Sequence, residues 1–223
     1  MRLHRWLLGL SVGAALALSA CKKEPATSST DAGVKSGVSV GAPQKIPLTN
    51  ATLRLARGWI PERLDGADTP LPDTPTPGMI DLAETVEVWR ASIPSPTGRV
   101  DPFLLVTVDR RLPKGTTASQ YLSALRTEQS KQAGTKVTHL ETERVERDGR
   151  PGFSLRDSMN VPTAAGGGTP LHQVARIFVD GGAGITVTAM MLEDDKPALD
   201  AAIRAMMESI KFTTPAPKDN AAP

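Results

Sequence analysis

The chain predicts an α+β fold, an antiparallel sheet of about six or seven strands covered by two main helices. Three observations carry this. Asp148-Gly149 and Asp180-Gly181-Gly182 each stand between two candidate strands, and Asp-Gly is the chemistry of tight β-hairpins. Strands joined so briefly run antiparallel. Two stretches, 117–133 and 196–209, instead repeat their apolar residues at the helical period.

The chain opens on a leader. Arg2 and Arg5 precede an apolar block from Trp6 to Leu18, interrupted only by small residues, and Lys22-Lys23-Glu24 end it. A bilayer span needs about 20 apolar residues, so this block is the n-region and h-region of a secretory signal. Leu18-Ser19-Ala20 is followed directly by Cys21, the only cysteine in the chain. These four residues resemble the lipobox of bacterial lipoproteins. The resemblance implies that the signal, 1–20, is cut before Cys21 and that the Cys21 thiol carries a diacylglycerol. A thiolate is the strongest nucleophile among side chains, which suits that transfer. Several acyl chains hold a protein where one holds it only marginally, at about 0.8 kcal/mol per buried methylene. In that family an aspartate after the cysteine retains the protein in the inner membrane, and Lys22 in its place points to the outer membrane, periplasmic face.

Residues 21–46 read as the lipidated cysteine and a disordered tether, rich in Ser, Thr, Gly, Ala and Pro and without aromatics. Such a tether spans roughly 25 to 30 Å. Residues 213–223, with Pro215 and Pro217, read as a disordered tail. The single folded domain is 47–212, and with one cysteine it holds no disulfide. The chain has 26 Lys and Arg against 24 Asp and Glu; without Arg2 and Arg5 the balance is 24 against 24. That near-neutrality excludes a nucleic-acid-binding surface built on net charge.

Within the domain, strands are expected over 51–57, 85–92 and 103–110 from Val86, Val88, Trp89, Val106 and Val108. The proline-rich stretch 61–81, with Pro70, Pro72, Pro75 and Pro77, reads as a long loop, of the kind that is either functional or merely extended. The first helix opens on a capping box, Thr117 with Gln120, turns Tyr121, Leu122 and Leu125 inward and closes at Gly134. Hairpins follow over 136–147 with 151–159 and over 172–180 with 183–192. The second helix takes Glu193-Asp194-Asp195 at its positive end, Pro197 in its first turn and Lys211 at its negative end. Leu199, Ile203, Met206 and Ile210 make one apolar stripe that belongs on the sheet.

The helix after Pro113-Lys114-Gly115, the two hairpins, and a last helix ending on Ser209-Ile210-Lys211-Phe212 resemble the PsbP-like α/β/α sandwich family over roughly 47–212. The stretch 61–81 departs from that pattern. The resemblance implies a mostly non-enzymatic protein that binds partners.

No catalytic set and no cofactor site stands out. His139, Glu141 and Glu143 alternate along one strand and on one face would be a possible metal set, but such alternation is what the wet face of a half-exposed strand looks like. Glu193-Asp194-Asp195 lacks the rest of a calcium loop and reads as helix capping. Gly166-Gly167-Gly168 lacks the ending of a phosphate cradle and reads as a loop. His172, at the head of a strand, reads as a satisfied edge residue. With 4% aromatic residues, Trp59 and Trp89 are expected in the core. The expectation is a lipid-anchored, non-catalytic envelope lipoprotein bound to the membrane through Cys21, with another protein or envelope component as partner. The alternative is an envelope hydrolase or small-molecule carrier, with a pocket between sheet and helices where His172 or carboxylates converge.

Overall fold

The computed structural model describes residues 38–68, 80, 82, 85–110, 112–131, 136–162 and 168–214. The leader 1–20, Cys21 and Pro70 to Pro77 lie outside them, as do Gly134, Gly166, Gly167 and the tail from 215. The strands are β1 (Val40–Lys45), β2 (Ala51–Ala56), β3 (Ile60–Arg63), β4 (Thr85–Ser92), β5 (Phe103–Asp109), β6 (Lys136–Arg147), β7 (Arg150–Pro162), β8 (Gly168–Asp180), β9 (Ala183–Leu192) and β10 (Lys211–Phe212). The α-helices are α1 (Ala118–Ser130) and α2 (Lys196–Glu208). One sheet of seven strands runs β3-β4-β5-β9-β8-β7-β6, and a second of three runs β1-β2-β10. Every paired strand is antiparallel. The predicted α+β class and the six or seven strands of the main sheet are what the chain forms.

Both hairpins form at the predicted turns. Asp148 and Gly149 take φ of 49° and 76° between Arg147 and Arg150, the left-handed pair that a two-residue turn matched to strand twist requires. Gly181 and Gly182 do the same between Asp180 and Ala183.

Period-two alternation along the central strands makes two cores. Val174, Phe178, Ile185, Val187, Leu104 and Val106 turn to one face, where α2 lays Leu199, Ile203 and Met206 over them together with Leu53 and Leu55 of β2. Ala175, Ile177, Val179 and Leu155 turn to the other, against Tyr121 and Leu122 of α1. Trp59 and Trp89 are buried in the first core, as expected. A register shift between Glu87 and Trp89 accounts for the consecutive burial of Val88 and Trp89.

Three strands were not expected. Val40–Lys45 falls in the stretch read as tether, yet it pairs with β2. Ile60–Arg63 opens the stretch read as loop, yet it pairs with β4 as an edge strand, where Pro61 is tolerated. Lys211–Phe212 pairs with Ala51 and Thr52 at the far end of the chain. The first helix carries its capping box, with Thr117 Oγ1 accepting from the Gln120 amide and Gln120 Oε1 from the Thr117 amide. Lys131 is its C-cap, three residues short of the expected Gly134.

Candidate functional site

The polar residues singled out on the second half of the chain separate once the strands are in register. A bulge lies between His139 and Glu141, so His139 pairs with Asp157 while Glu141 pairs with Arg156. The extra residue, Leu140, reverses the alternation and leaves Leu140 exposed. His139 therefore shares the α1 face with Asp157, whose Oδ1 lies 2.8 Å from His139 Nδ1. Glu141 and Glu143 stand on the α2 face, and Glu141 reaches Arg156 at 3.3 Å. The three do not form one metal-facing set.

Glu193, Asp194 and Asp195 form a 3-10 turn ahead of α2, and Asp195 is its N-cap residue without a side-chain cap bond. This corrects the expectation of capping. Asp195 is fully buried and turns instead to the loop between β4 and β5, accepting from Ser95 Oγ at 2.9 Å and from the Thr97 amide at 3.2 Å. Asp194 receives Arg99 Nη1 at 3.0 Å. Glu193 faces Lys196 Nζ at 3.4 Å. The acids act as a clasp for a loop 95 or more residues away in sequence.

His172 is the second correction. It lies inside β8, not at its head, because β8 begins at Gly168. The side chain is 1% exposed on the α2 face, and neither ring nitrogen makes a hydrogen bond. Its nearest charged oxygen is Glu193 Oε2, 3.7 Å from Nδ1. Burial, then Lys196, lowers its pKa below the ordinary histidine value. A neutral imidazole with no hydrogen bond to an orienting group or to a nucleophile is poorly placed as a general base.

At the opposite end of the same face, buried charge is fully matched. Arg150 is 0% exposed and donates from Nε to Asp180 Oδ1 at 2.7 Å. Its guanidinium also covers the Phe212 ring at 4.3 Å and reaches Thr214 Oγ1 at 3.3 Å. Asp148 Oδ2 accepts the Phe212 amide at 2.7 Å. On the α1 face, the Tyr121 hydroxyl donates to Asp109 Oδ2 and lies 3.1 Å from Thr186 Oγ1, while Thr85 donates to the other Asp109 oxygen. Burial first, then the Asp109 charge, pushes the Tyr121 pKa well above 10.0. Neither network was legible in sequence: Asp180 and Arg150 flank turns and read as turn residues, and Asp109 ends a strand.

A concavity of about 360 Å³ opens on the flank of α1, lined by Ser119, Leu122, Ser123, Arg126, Thr127 and Ser130. It includes neither His172 nor a carboxylate, so it is not the pocket expected of a hydrolase or carrier. Among the described residues no helix is long and apolar enough to cross a membrane.

Two helices on a seven-stranded antiparallel sheet, with a three-stranded sheet beside it, make a PsbP-like fold. The cyanobacterial PsbP of Synechocystis sp. PCC 6803 matches with a TM-score of 0.50 and 17% identity, over 81% of this chain and 98% of that one. A Pseudomonas aeruginosa protein of unknown function matches at 0.47 and 15% identity over 72% and 99%. LpqN of Mycobacterium tuberculosis, involved in cell envelope biogenesis, matches at 0.40 and 12% identity over 70% and 84%. No protein-family model matches the chain. No curated protein matches it significantly.

Proposed function

We propose that the chain is a lipid-anchored, non-catalytic lipoprotein of the bacterial cell envelope, whose PsbP-like body serves as a binding or accessory module for another envelope component. The observation that carries this reading is Leu18-Ser19-Ala20-Cys21 behind a basic start and a short apolar block. Cys21 is the anchored residue, and Leu18, Ser19 and Ala20 are the processing sequence. Residues 21–39 then link the lipid to the first strand. Lys22 after the cysteine supports the periplasmic face of the outer membrane.

The body supports a binding role through the way its polar groups are used. Arg150 with Asp180, and Tyr121 with Asp109, are bonded to one another inside the fold. The loop between β4 and β5 and the turn 193–195 lie together at one end of the sheet, with Arg99 and Asp194 exposed. That end is the surface we assign to the partner.

Growth with an alkyne fatty acid should label the wild-type protein and leave it in the membrane fraction. Cys21→Ser should remove both the label and the processing step. A labelled, membrane-held Cys21→Ser protein would overturn the anchor. Crosslinking in the native membrane should yield a specific adduct from Arg99→Cys carrying a thiol crosslinker. Recovery of nothing specific from that end of the sheet would count against the module.

A further inference from the structure

Among the described residues, the imidazole on β8 is buried with both of its ring nitrogens unbonded. His172 stands on the α2 face, opposite Ser158 of β7 and Met191 of β9. The turn 193–195 and the first turn of α2 supply its nearest charged neighbours. Both ring nitrogens are shielded from water without a hydrogen bond. A neutral imidazole tolerates such a place at moderate expense, whereas an imidazolium needs acceptors or water.

The groups facing it supply them only in part. From the turn, Glu193 is 3.7 Å away and already opposes Lys196. From α2, Asp200 is held by Arg204 at 2.6 Å, and Lys196 itself repels a second cation. From β7, Arg156 repels it too, and Glu141 of β6 is turned to Arg156. Farther along β8 on the same face stands Arg176, another cation. Each acid is shared with a cation, and Glu193 Oε2, the nearest, stands beyond hydrogen-bond distance, so a proton on His172 is only partly compensated.

We propose that His172 is an acid-operated latch, in which protonation loosens the turn 193–195 and, with it, the loop between β4 and β5. The mechanical link is the clasp, since Asp195 holds Ser95 and Thr97 and Asp194 holds Arg99. The direction follows from linkage. Burial lowers the folded-state pKa, so the closed form is fully stable above the unfolded value of about 6.5 and is lost as pH falls below it. The device goes beyond the anchored-module reading and does not depend on it, because it concerns the folded body alone.

Hydrogen exchange on the full-length protein, corrected for intrinsic rates, tests this. Between pH 6.5 and 5.5, opening of 93–102 and 193–200 should rise by up to about fivefold, the limit for one proton on a group whose open-state pKa is about 6.5. The turns at 148–149 and 181–182 should not change. His172→Leu should abolish the response and His139→Gln should keep it. Wild-type protection independent of pH, or the same response in His172→Leu, would overturn the latch. If His172→Leu does not fold, the ring resonances of the wild-type protein decide. A midpoint for His172 at or above 6.5 overturns the proposal, and one below it, with the exchange response, sustains it.

Discussion

The two ends of the α2 face each bury a basic side chain, and they treat it in opposite ways. At the hairpin-turn end, Arg150 has a carboxylate at 2.7 Å, an aromatic ring beneath it and a hydroxyl beyond. At the loop end, His172 is as deeply buried and has no hydrogen bond. A saturated charge fixes one arrangement, because any movement exposes an unpaired ion to an apolar interior. An unsaturated titratable group leaves the arrangement dependent on the proton. The difference teaches where this body is rigid and where it can yield. The strand β10 is clamped at the Arg150 end, since Phe212 lies under the guanidinium and bonds to Asp148.

The largest effect is expected from breaking the saturated end. Arg150→Ala leaves Asp180 buried and unpaired and should cost about 3 to 5 kcal/mol in urea unfolding. Arg150→Met with Asp180→Leu should recover much of that loss, because both charges are then removed together. A single Arg150→Ala that unfolds like the wild type would dissolve the contrast between the ends.

Next comes the network on the α1 face. Tyr121→Phe removes a donor to Asp109 and should cost about 1 to 3 kcal/mol. The chain has one tyrosine, so its ionisation is read directly from absorbance. Burial raises its pKa, so the stability it contributes is present below about 10 and lost as pH rises past that value. A phenol titrating at 10 in the folded protein would remove this account.

Smaller still is the acid response at His172, bounded by about 1.4 kcal/mol for each pH unit below 6.5. His172→Leu should flatten the pH dependence of urea midpoints between pH 7 and 5.5, leaving neutral-pH stability nearly unchanged. A slope retained in the variant would place the acid sensitivity elsewhere. The smallest effect belongs to Arg99→Ala. Its ion pair with Asp194 is more than half exposed on both sides and should contribute less than about 1 kcal/mol. The same variant should nevertheless raise exchange in 93–102, separating the local clasp from global stability.

Much of this architecture was legible from local patterns. The hairpin turns and the capping box are set by residues within three positions of one another, as Asp148-Gly149 and Thr117 with Gln120 show. The apolar stripe of α2 is similarly local, and Leu199, Ile203, Met206 and Ile210 are all buried. β1, β3 and β10 were not legible. β1 and β3 are exposed edge strands with little apolar content, and β10 is two residues long; none carries the alternation that marks a half-buried strand. The bulge at Leu140 was equally invisible, since it is a property of the pairing between two strands and not of either one.

By itself the sequence determined the fold class, the two hairpins, the two helices and the expectation of a lipid anchor at Cys21, because each depends on short-range periodicity, turn chemistry or a contiguous motif. Only the tertiary structure decided the fate of the polar residues. Register separated His139 from Glu141 and Glu143, and packing turned Asp195 from a helix cap into a clasp for Ser95 and Thr97. Burial under α2 made His172 an unsatisfied imidazole, while the return of the chain end placed Phe212 under Arg150. The physical reason is common to all four. A polar side chain's role is set by which partners and how much water reach it, and those come from elements far away along the chain.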